Sequence, residues 1–401
     1  MRVRQFTKCM TICASMCAAM LFAACGGAAD ELYEKSVSLY EQGSYREARD
    51  VITEAIKSNP DKAEYYICYG MTLIGLADYE GAREQFMSVI RDNGSKITKD
   101  NNKRAYRGIA LTYYESGDYE QAKSYFDLAL GTESLADIDN DLKAYKADCD
   151  MFLGNYEDAV KLFTDLIENG KDMDDDVLVG CYVGRAGAYM IPGNYMAAIA
   201  DYNSAIAISE YCYPAYVGGY LALINTHDTN SANEMLDKGL ALACRNSEDE
   251  YYNAVLNFYK GNDSDALKTL SECLDNGVME ADFYIGMINQ RQGKYEDAVK
   301  CYENYADNVP SGRSAEFCNQ LAGCYMELGD YENAKKLFDE GIVIAGGNMK
   351  QTLMKNRIAL YEKLGKYKKA KKYAEEYLSL YEDSEMHAEY EFIMTRYRKN
   401  S

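Results

Sequence analysis

The stretch Gly117-Asp118-Tyr119-Glu120-Gln121-Ala122 decides the fold of this chain, because variants of it recur along the sequence. Each variant closes with an alanine, and all but two carry a tyrosine three residues before it. The closing alanines, which we call the anchor alanines, are Ala48, Ala82, Ala122, Ala159, Ala198, Ala232, Ala266, Ala298, Ala334 and Ala370. Successive anchors lie 32 to 40 residues apart, and a recurrence of this length is typical of solenoids of two-element units.

The residues around each anchor predict a helical hairpin. Gly117 ends a first helix, since glycine adopts the left-handed backbone conformation that stops a helix at low cost. Asp118 and Tyr119 begin a second helix, and Glu120 lies in its first turn, where the helix dipole favours negative charge. Apolar and small residues recur at helical spacing on one face of each helix. The chain is therefore predicted to be all-α.

With these residues in view, the chain resembles the tetratricopeptide repeat (TPR) proteins over about residues 30–380. The TPR pattern has an aromatic, a leucine, a small residue and a tyrosine on the first helix, then alanine, an aromatic and alanine on the second. Residues 106–129 match nearly every position, and Pro60 and Pro310 occupy the proline position that closes a repeat. The absence of tryptophan and the polar face of Asn253 and Asn257 depart from the pattern.

The resemblance implies a right-handed α-solenoid of about ten hairpins. Residues 381–401 follow the last hairpin, and their amphipathic stretch predicts one more helix that caps the array. Without such a cap, the apolar face of the terminal repeat would lie in water.

The N-terminal residues 1–24 are typical of an export signal. Arg2, Arg4 and Lys8 precede an uncharged run that is shorter than a typical membrane span. The stretch from Leu21 to Gly26 resembles a bacterial lipobox, in which the signal is cut before a cysteine that then carries lipid. We therefore expect lipidation at Cys25, with residues 25–29 as a short tether. Ordinary secretion and an uncleaved membrane anchor are the alternatives.

Composition narrows the partner class. The formal net charge of the chain is −21, which disfavours binding to nucleic acid and to anionic lipid headgroups. We expect neutral or basic partners at the extracytoplasmic face of a cell membrane.

Nine cysteines follow Cys25, without the paired spacing of a structural zinc site. We interpret most of them as small apolar fillers between helices. A disulfide such as Cys181–Cys212 is an alternative that the sequence leaves open.

Two acidic runs, residues 137–141 and 172–176, have alternating carboxylates that could meet calcium, but they lack the glycine of a helix-loop-helix calcium site. We favour helix N-capping by Asp139 or Asp176. The two histidines, His227 and His387, belong to no catalytic constellation. We therefore expect neither enzymatic activity nor a cofactor or bound metal.

The resemblance also implies that the first helix of each hairpin lines a concave groove. Residues three and seven positions after the second residue of a repeat face this groove in TPR proteins. Mapped onto this chain, the groove is rich in methionine and aromatic residues, which suit an adaptable peptide-binding surface. The candidate binding residues are Met71, Arg107, Tyr114, Met151, Met190, Leu221, Phe258, Phe283 and Met287.

The sequence thus predicts a lipid-anchored scaffold that binds protein or peptide partners through an apolar groove. A lipoprotein that binds cell-wall polymer or carbohydrate is the alternative, because 38 tyrosines offer many rings for stacking on sugars. The identity of the partner, the type of envelope and the oligomeric state are open at this stage.

Overall fold

The computed structural model describes residues 27–170, 173–309 and 312–400, and all regular elements in these ranges are helical. Cys25, Pro310 and Asp172 therefore lie outside the described residues. The helices are α1 Ala28–Glu41, α2 Tyr45–Ser58, α3 Ala63–Gly75, α4 Tyr79–Val89, α5 Lys96–Ser116, α6 Tyr119–Leu130, α7 Asp139–Leu153, α8 Tyr156–Asn169, α9 Asp175–Met190, α10 Tyr195–Ile208, α11 Tyr213–Asn225, α12 Thr229–Leu240, α13 Ser247–Lys260, α14 Asp263–Asp275, α15 Ala281–Arg291, α16 Tyr295–Asn308, α17 Ala315–Leu328, α18 Tyr331–Ile344, α19 Gly347–Lys363, α20 Tyr367–Leu378 and α21 Ser384–Asn400. A short 3-10 turn, Ala136–Ile138, precedes α7.

The anchors lie where the sequence predicts them. Each second helix, from α2 to α20, begins three residues before its anchor alanine. All ten anchor alanines are fully buried, because a methyl group at this position lets the two helices of a hairpin approach closely. The predicted all-α fold of helical hairpins is confirmed.

The turn between the two helices has the same backbone conformation in every hairpin. The residue five positions before each anchor alanine has φ between 60° and 92°. Glycine occupies eight of these positions, and Ala77 and His227 occupy the other two. A residue with a Cβ is strained by roughly 1–2 kcal/mol in this region of φ. The turns at Ala77 and His227 are therefore strained compared with the turns at glycine.

The two proposed N-caps are not N-caps in the structure. Asp139 is the first residue of α7 and its carboxylate accepts a hydrogen bond from the Nζ of Lys103 at 2.5 Å. Asp176 is the second residue of α9. Both carboxylates lie in the first turn of a helix, where the helix dipole favours negative charge. The N-cap of α6 is instead the aspartate of the anchor motif, Asp118, which accepts a hydrogen bond from the backbone N–H of Gln121 at 3.1 Å.

Several consecutive first helices contact each other directly within each unit. Direct contacts join α1 to α3, α3 to α5, and, further along the chain, α11, α13, α15, α17 and α19 in series. We call the surface formed by the first helices the inner layer. Within each unit, first helices also pack on their own second helices, so one face of the inner layer is covered.

The chain divides into two compact units, and the boundary between Ala188 and Tyr189 falls inside α9. The N-terminal unit contains separate hydrophobic clusters centred on residues 52–68, 71–149 and 144–188. The C-terminal unit has one continuous cluster from Tyr213 to Leu360. A further cluster lies beneath α21, which buries Met386 and Ile393 against the last hairpin.

The C-terminal unit also contains a contact between elements far apart in sequence, which we call the clasp. The backbone N–H of Asn348, at the start of α19, donates to the hydroxyl of Tyr195 at 3.2 Å. The Nδ2 of Asn348 donates to Oδ1 of Asn225 at 3.0 Å. A Cβ at Gly346 would lie 2.5 Å from the carbonyl oxygen of Ile191, so this close approach requires glycine.

Candidate partner-binding surface

Three of the predicted groove residues belong to the hydrophobic core. Tyr114 and Phe258 are each 1% exposed, and Phe283 is 7% exposed. The ring of Tyr114 is covered by Tyr145 and Phe152, whose centroids lie 5.3 and 6.0 Å away. These rings offer almost no surface to a partner in this conformation, so we correct their interpretation from binding residues to core residues.

Two more candidates, Met71 and Arg107, are also buried. Met71 belongs to the hydrophobic cluster of the N-terminal unit. Arg107 is held by an ion pair between its Nε and Oδ2 of Asp141 at 2.6 Å. Burial by itself would lower the pKa of Arg107, but the carboxylate of Asp141, together with Tyr145 and Tyr40, raises the pKa above its ordinary value. Arg107 is therefore a partner of Asp141 rather than a free cation.

The other four candidates are partly exposed: Met151, Met190, Leu221 and Met287. Leu221 and Met287 pack against the edge of the continuous core of the C-terminal unit. Met151 does the same in the cluster that includes Phe163. These side chains retain surface that a partner could cover.

A second buried ion pair crosses the inner layer of the N-terminal unit. Lys103, 1% exposed, bonds Asp139 and also donates to the carbonyl oxygen of Ser134 at 2.6 Å. Asp139 and Asp141 lie on α7, and Lys103 and Arg107 lie on α5. The inner layer of this unit therefore neutralises its own charges between adjacent hairpins.

Asp148 is a buried carboxyl group in the same unit. It is 3% exposed, and its Oδ2 accepts from the hydroxyl of Tyr114 at 3.5 Å, while its Oδ1 has no hydrogen-bond partner in the described structure. Burial raises the pKa of Asp148 well above its ordinary value. The neighbouring Asp150 instead bonds the ammonium group of Lys123.

The C-terminal unit has an aromatic inner layer. The rings of Phe258, Tyr259 and Tyr284 meet edge to face, with centroids 5.0 to 6.2 Å apart. Tyr251 and Tyr252 continue this packing. Edge-to-face geometry is favourable for aromatic pairs. Burial is the main cause that raises the pKa of Tyr251, Tyr252 and Tyr259 well above the ordinary value.

Two carboxylates at the starts of first helices affect the pKa of these tyrosines. Glu280 and Glu316 each stand eighteen residues before an anchor alanine and are partly buried. Glu280 adds to the raised pKa of Tyr251 and Tyr252, and Glu316 adds to that of Tyr259 and Tyr284. Neither glutamate forms an ion pair within the described residues.

These glutamates are not among the predicted groove residues, because the groove positions lie three and seven residues after the second residue of a repeat and both glutamates are themselves that second residue. The recurrence of glutamate at one repeat position was a usable signal.

Within the described residues, the cysteines form no disulfide, and neither they nor the acidic runs form a metal site. The nine cysteines of the described residues form no disulfide, and all but Cys244 and Cys301 are buried. Burial raises the pKa of Cys68 to about 11, which keeps that thiol protonated. Within the described ranges, no group of three or more histidine, cysteine or acidic side chains could hold a metal ion. Nor is any described helix long and apolar enough to cross a membrane.

Comparison with protein families finds tetratricopeptide repeats along the chain. Models of this repeat match residues 33–96, 104–133, 280–312, 315–345 and 359–384. The TPR repeat-containing protein MJ1428 of Methanocaldococcus jannaschii is 30% identical over 184 residues, which are 44% of this chain. The match covers 30% of the length of that relative.

Among solved structures, a monomeric mutant of IFIT1 with m7Gppp-AAAA is similar at a TM-score of 0.53 and 13% identity, over 90% of this chain and 88% of that one. A tetratricopeptide repeat protein from Parabacteroides merdae aligns at a TM-score of 0.48 and 16% identity, over 63% of this chain and 94% of its own. At these identities, the likeness concerns the fold alone. The matched repeats and the helical hairpins agree, and the chain therefore contains tetratricopeptide repeats in an all-helical solenoid.

Proposed function

We propose that the protein is a lipid-anchored extracytoplasmic scaffold that binds protein or peptide partners through its inner layer. Repeats of this type generally act as non-catalytic protein-binding modules. The observation that carries the proposal is the row of partly exposed apolar side chains in the C-terminal unit. This row contains Leu221, Ile224, Met287 and Met326, all on first helices.

Such a row fits a protein partner better than a carbohydrate. The carbohydrate alternative depends on accessible tyrosine rings, and in the inner layer of the C-terminal unit Tyr251, Tyr252 and Tyr284 are almost entirely buried. Methionine side chains repack readily around different apolar groups, and an extended or helical peptide can place such groups along a groove. We therefore propose a protein partner and not a cell-wall polymer.

The binding surface is tested by replacing Leu221 and Met287 with serine. We expect photo-crosslinking on intact cells to lose its principal partner, while the melting temperature of the purified protein changes little because both side chains are partly exposed. The matched control is Met196→Ser, on the second helix α10, where the side chain is 70% exposed. Equal loss of crosslinking in the control would refute the inner layer as the binding surface.

The anchor is tested separately at Cys25. We expect Cys25→Ala to move the protein from the membrane fraction to the medium or the soluble fraction and to abolish incorporation of labelled fatty acid. Retention of the variant in the membrane fraction, without label, would support the uncleaved anchor instead. The three basic residues near the N-terminus and the lipobox-like residues 21–26 support the proposal.

A further inference from the structure

The last hairpin carries a concentration of positive charge in an otherwise acidic chain. Residues 363–372, at the end of α19 and the start of α20, contain six lysines and no acidic side chain. In the rest of the chain, ten consecutive residues contain at most four basic side chains. Because the formal net charge of the whole chain is −21, this hairpin differs in sign from its surroundings.

Two of the six lysines already have carboxylate partners. Lys363 bonds Glu327 at 2.9 Å, and Lys371 bonds Glu375 at 3.7 Å. The other four lysines are exposed and form no ion pair within the described residues. We call them the basic patch, which consists of Lys366, Lys368, Lys369 and Lys372.

Helix geometry places the basic patch on the outer surface of α20. Lys368 and Lys372 are four residues apart, so their side chains are neighbours on one face of the helix. Ala370 lies about 160° around the helix axis from each of them and is fully buried in the cluster that α20 shares with α19. The Nζ of Lys369 lies 5.2 Å from the ring centroid of Tyr361, at the flank of this outer surface.

The fold of the hairpin does not require these lysines. Like charges four residues apart on a helix repel each other, and positive charge in the first turn is opposed by the helix dipole. In five other hairpins, the position equivalent to Lys368 is a glutamate: Glu80, Glu120, Glu157, Glu296 and Glu332. The lysines of α20 therefore oppose the stability of their own helix, which suggests that they serve an interaction.

The two acidic side chains that follow in α20 already have other partners. Glu375 bonds Lys371 and accepts a hydrogen bond from the hydroxyl of Tyr390 at 2.8 Å. Glu376 bonds Arg357, on α19, at 3.2 Å. Neither carboxylate is paired with a lysine of the basic patch.

The cap helix α21 adds positive charge next to α20. The Nζ of Lys371 lies 5.2 Å from the ring centroid of Tyr397. Arg396 and Arg398, the residues on either side of Tyr397, are exposed. Positive charge therefore extends from α20 to the end of α21.

The chemistry of the basic patch fits a diffuse anionic surface better than an acidic protein segment. Lysine is a hydrated point charge on a flexible stem, and it lacks the planar fork with which arginine orients a carboxylate. Residues 368, 371, 372 and 375 on the outer face of α20 are all charged, so this face offers no apolar anchor for a protein interface. The acidic remainder of the chain has little influence on this contact, because exposed charges more than about 8 Å apart are largely screened at physiological salt.

We propose that the basic patch docks on the anionic lipid headgroups of the membrane that carries the protein. The proposal rests on the proposed function for its location, and it adds a second, reversible contact with the same membrane. Each lysine near an anionic membrane surface strengthens binding about fivefold. Because the same surface repels acidic side chains, docking also determines which side of the C-terminal unit faces the membrane.

The test uses the mature form that the proposed function implies, residues 25–401, with Cys25→Ala so that no lipid on the protein contributes. We expect it to float with vesicles of phosphatidylglycerol and phosphatidylcholine in equal parts, and less so as salt is added. Vesicles of phosphatidylcholine alone should bind at least about tenfold more weakly.

The triple variant Lys368→Gln, Lys369→Gln, Lys372→Gln should weaken binding to the mixed vesicles by a factor on the order of a hundred. Its melting temperature should change little, because relief of repulsion within α20 offsets the loss of the cation–π contacts of Lys369 and Lys372.

The matched control removes the same charge from other second helices. Lys57, Lys161 and Lys300 are exposed on α2, α8 and α16, and each bonds an acidic side chain three residues earlier. The variant Lys57→Gln, Lys161→Gln, Lys300→Gln should bind the mixed vesicles nearly as the parent does. An equal loss in this control would reduce the effect to overall charge and overturn the proposal.

Three further outcomes would overturn the proposal. The first two are equal binding to both kinds of vesicle and binding to neither. The third is tighter binding of a soluble polyglutamate peptide than of the mixed vesicles, if that binding is lost in the triple variant of α20, because the patch would then be a surface for acidic protein segments.

These results are distinguishable from a failure of the proposed function. If Cys25→Ala releases the protein from cells while the mature form fails to bind the mixed vesicles, the lipid anchor stands and the docking is rejected. If Cys25→Ala stays in the membrane fraction without labelled fatty acid after a wash at high salt, the lipid anchor is rejected, whatever the vesicles show. The salt wash separates the two cases, because contacts between exposed charges are screened by salt.

Discussion

In the N-terminal unit, buried ion pairs join the inner layers of neighbouring hairpins, whereas in the C-terminal unit aromatic rings pack edge to face in the inner layer. Lys103 and Arg107 each bond an aspartate of the next hairpin, and the rings of Phe258, Tyr259 and Tyr284 contact one another. Both units use the same hairpin and the same buried anchor alanine. The buried anchor alanine therefore determines how the two helices of a hairpin pack, while the side chains of the inner layer differ between the two units.

The largest effect should come from the cores, where the two units should behave alike. Phe126 in the N-terminal unit and Phe258 in the C-terminal unit are both almost fully buried, so replacing either with alanine should cost about 3–5 kcal/mol. Hydrogen exchange during urea unfolding should show the loss in the unit that carries the change. Equal loss of protection in both units would mean that they do not unfold separately.

Removing one carboxylate should have different effects on the unfolding free energy in the two units. Asp141→Asn leaves Arg107 buried beside an uncharged side chain, and removing one partner of a buried pair costs about 3 kcal/mol. Glu280→Gln removes a charge that has no partner and should change unfolding free energy by less than about 0.5 kcal/mol. Both are measured by chemical denaturation. A large cost for Glu280→Gln would reveal a structural role for that carboxylate.

The two units should depend on pH through different acids. Burial raises the pKa of Asp148 in one unit. In the other, burial and then Glu389 raise the pKa of Glu362 to about 7. A folded state that keeps a proton the unfolded chain has lost becomes less stable as pH rises. For Glu362 this window runs from its ordinary pKa of about 4.3 up to about 7.

The check is melting at about pH 5 and about pH 8. Asp148→Asn should reduce the stability that the N-terminal unit loses when the pH is raised from about 5 to about 8. Glu362→Gln should have the same effect on the last hairpin. A variant that keeps the full pH dependence of the parent would exclude its residue as the cause. Tyrosine fluorescence cannot distinguish the units, so hydrogen exchange of quenched samples is the suitable measurement.

The smallest effects should come from the turns. Gly117→Ala places a Cβ at φ 83° and should destabilise the N-terminal unit by about 1 kcal/mol. His227→Gly relieves φ 63° and should stabilise the C-terminal unit by about the same amount, less the added entropy of the unfolded chain. Thermal melts should move in opposite directions. Movement in the same direction would mean that the side chain of His227 contributes contacts that outweigh the strain.

The framework was predictable from the sequence because it depends on local chemistry. The glycine before Tyr119 predicts a left-handed turn, and its equivalents adopt that turn in all hairpins, even where His227 replaces glycine. The alanine three residues after the helix start predicts close packing and is buried in every hairpin. These properties are decided within a few residues of each anchor.

The inner layer was less predictable because it depends on neighbouring hairpins. Tyr114 occupies a groove position, but Tyr145 and Phe152 of the next hairpin cover its ring. Arg107 also occupies a predicted groove position, but its guanidinium group bonds the carboxylate of Asp141, 34 residues further along. A search for opposite charges one repeat apart could have found this pair. Which side chain covers which ring depends on packing that the repeat pattern does not specify.

The clasp changes how the C-terminal unit should assemble. In a stack where each hairpin contacts only the next, the ends fray first and the middle persists. Here Asn348 bonds Tyr195, a residue 153 positions earlier. Closing so long a loop is entropically unfavourable until the intervening hairpins are in place. The clasp should therefore form late, after the intervening hairpins have folded, and the first step in opening the C-terminal unit should be the breaking of the two hydrogen bonds at Asn348.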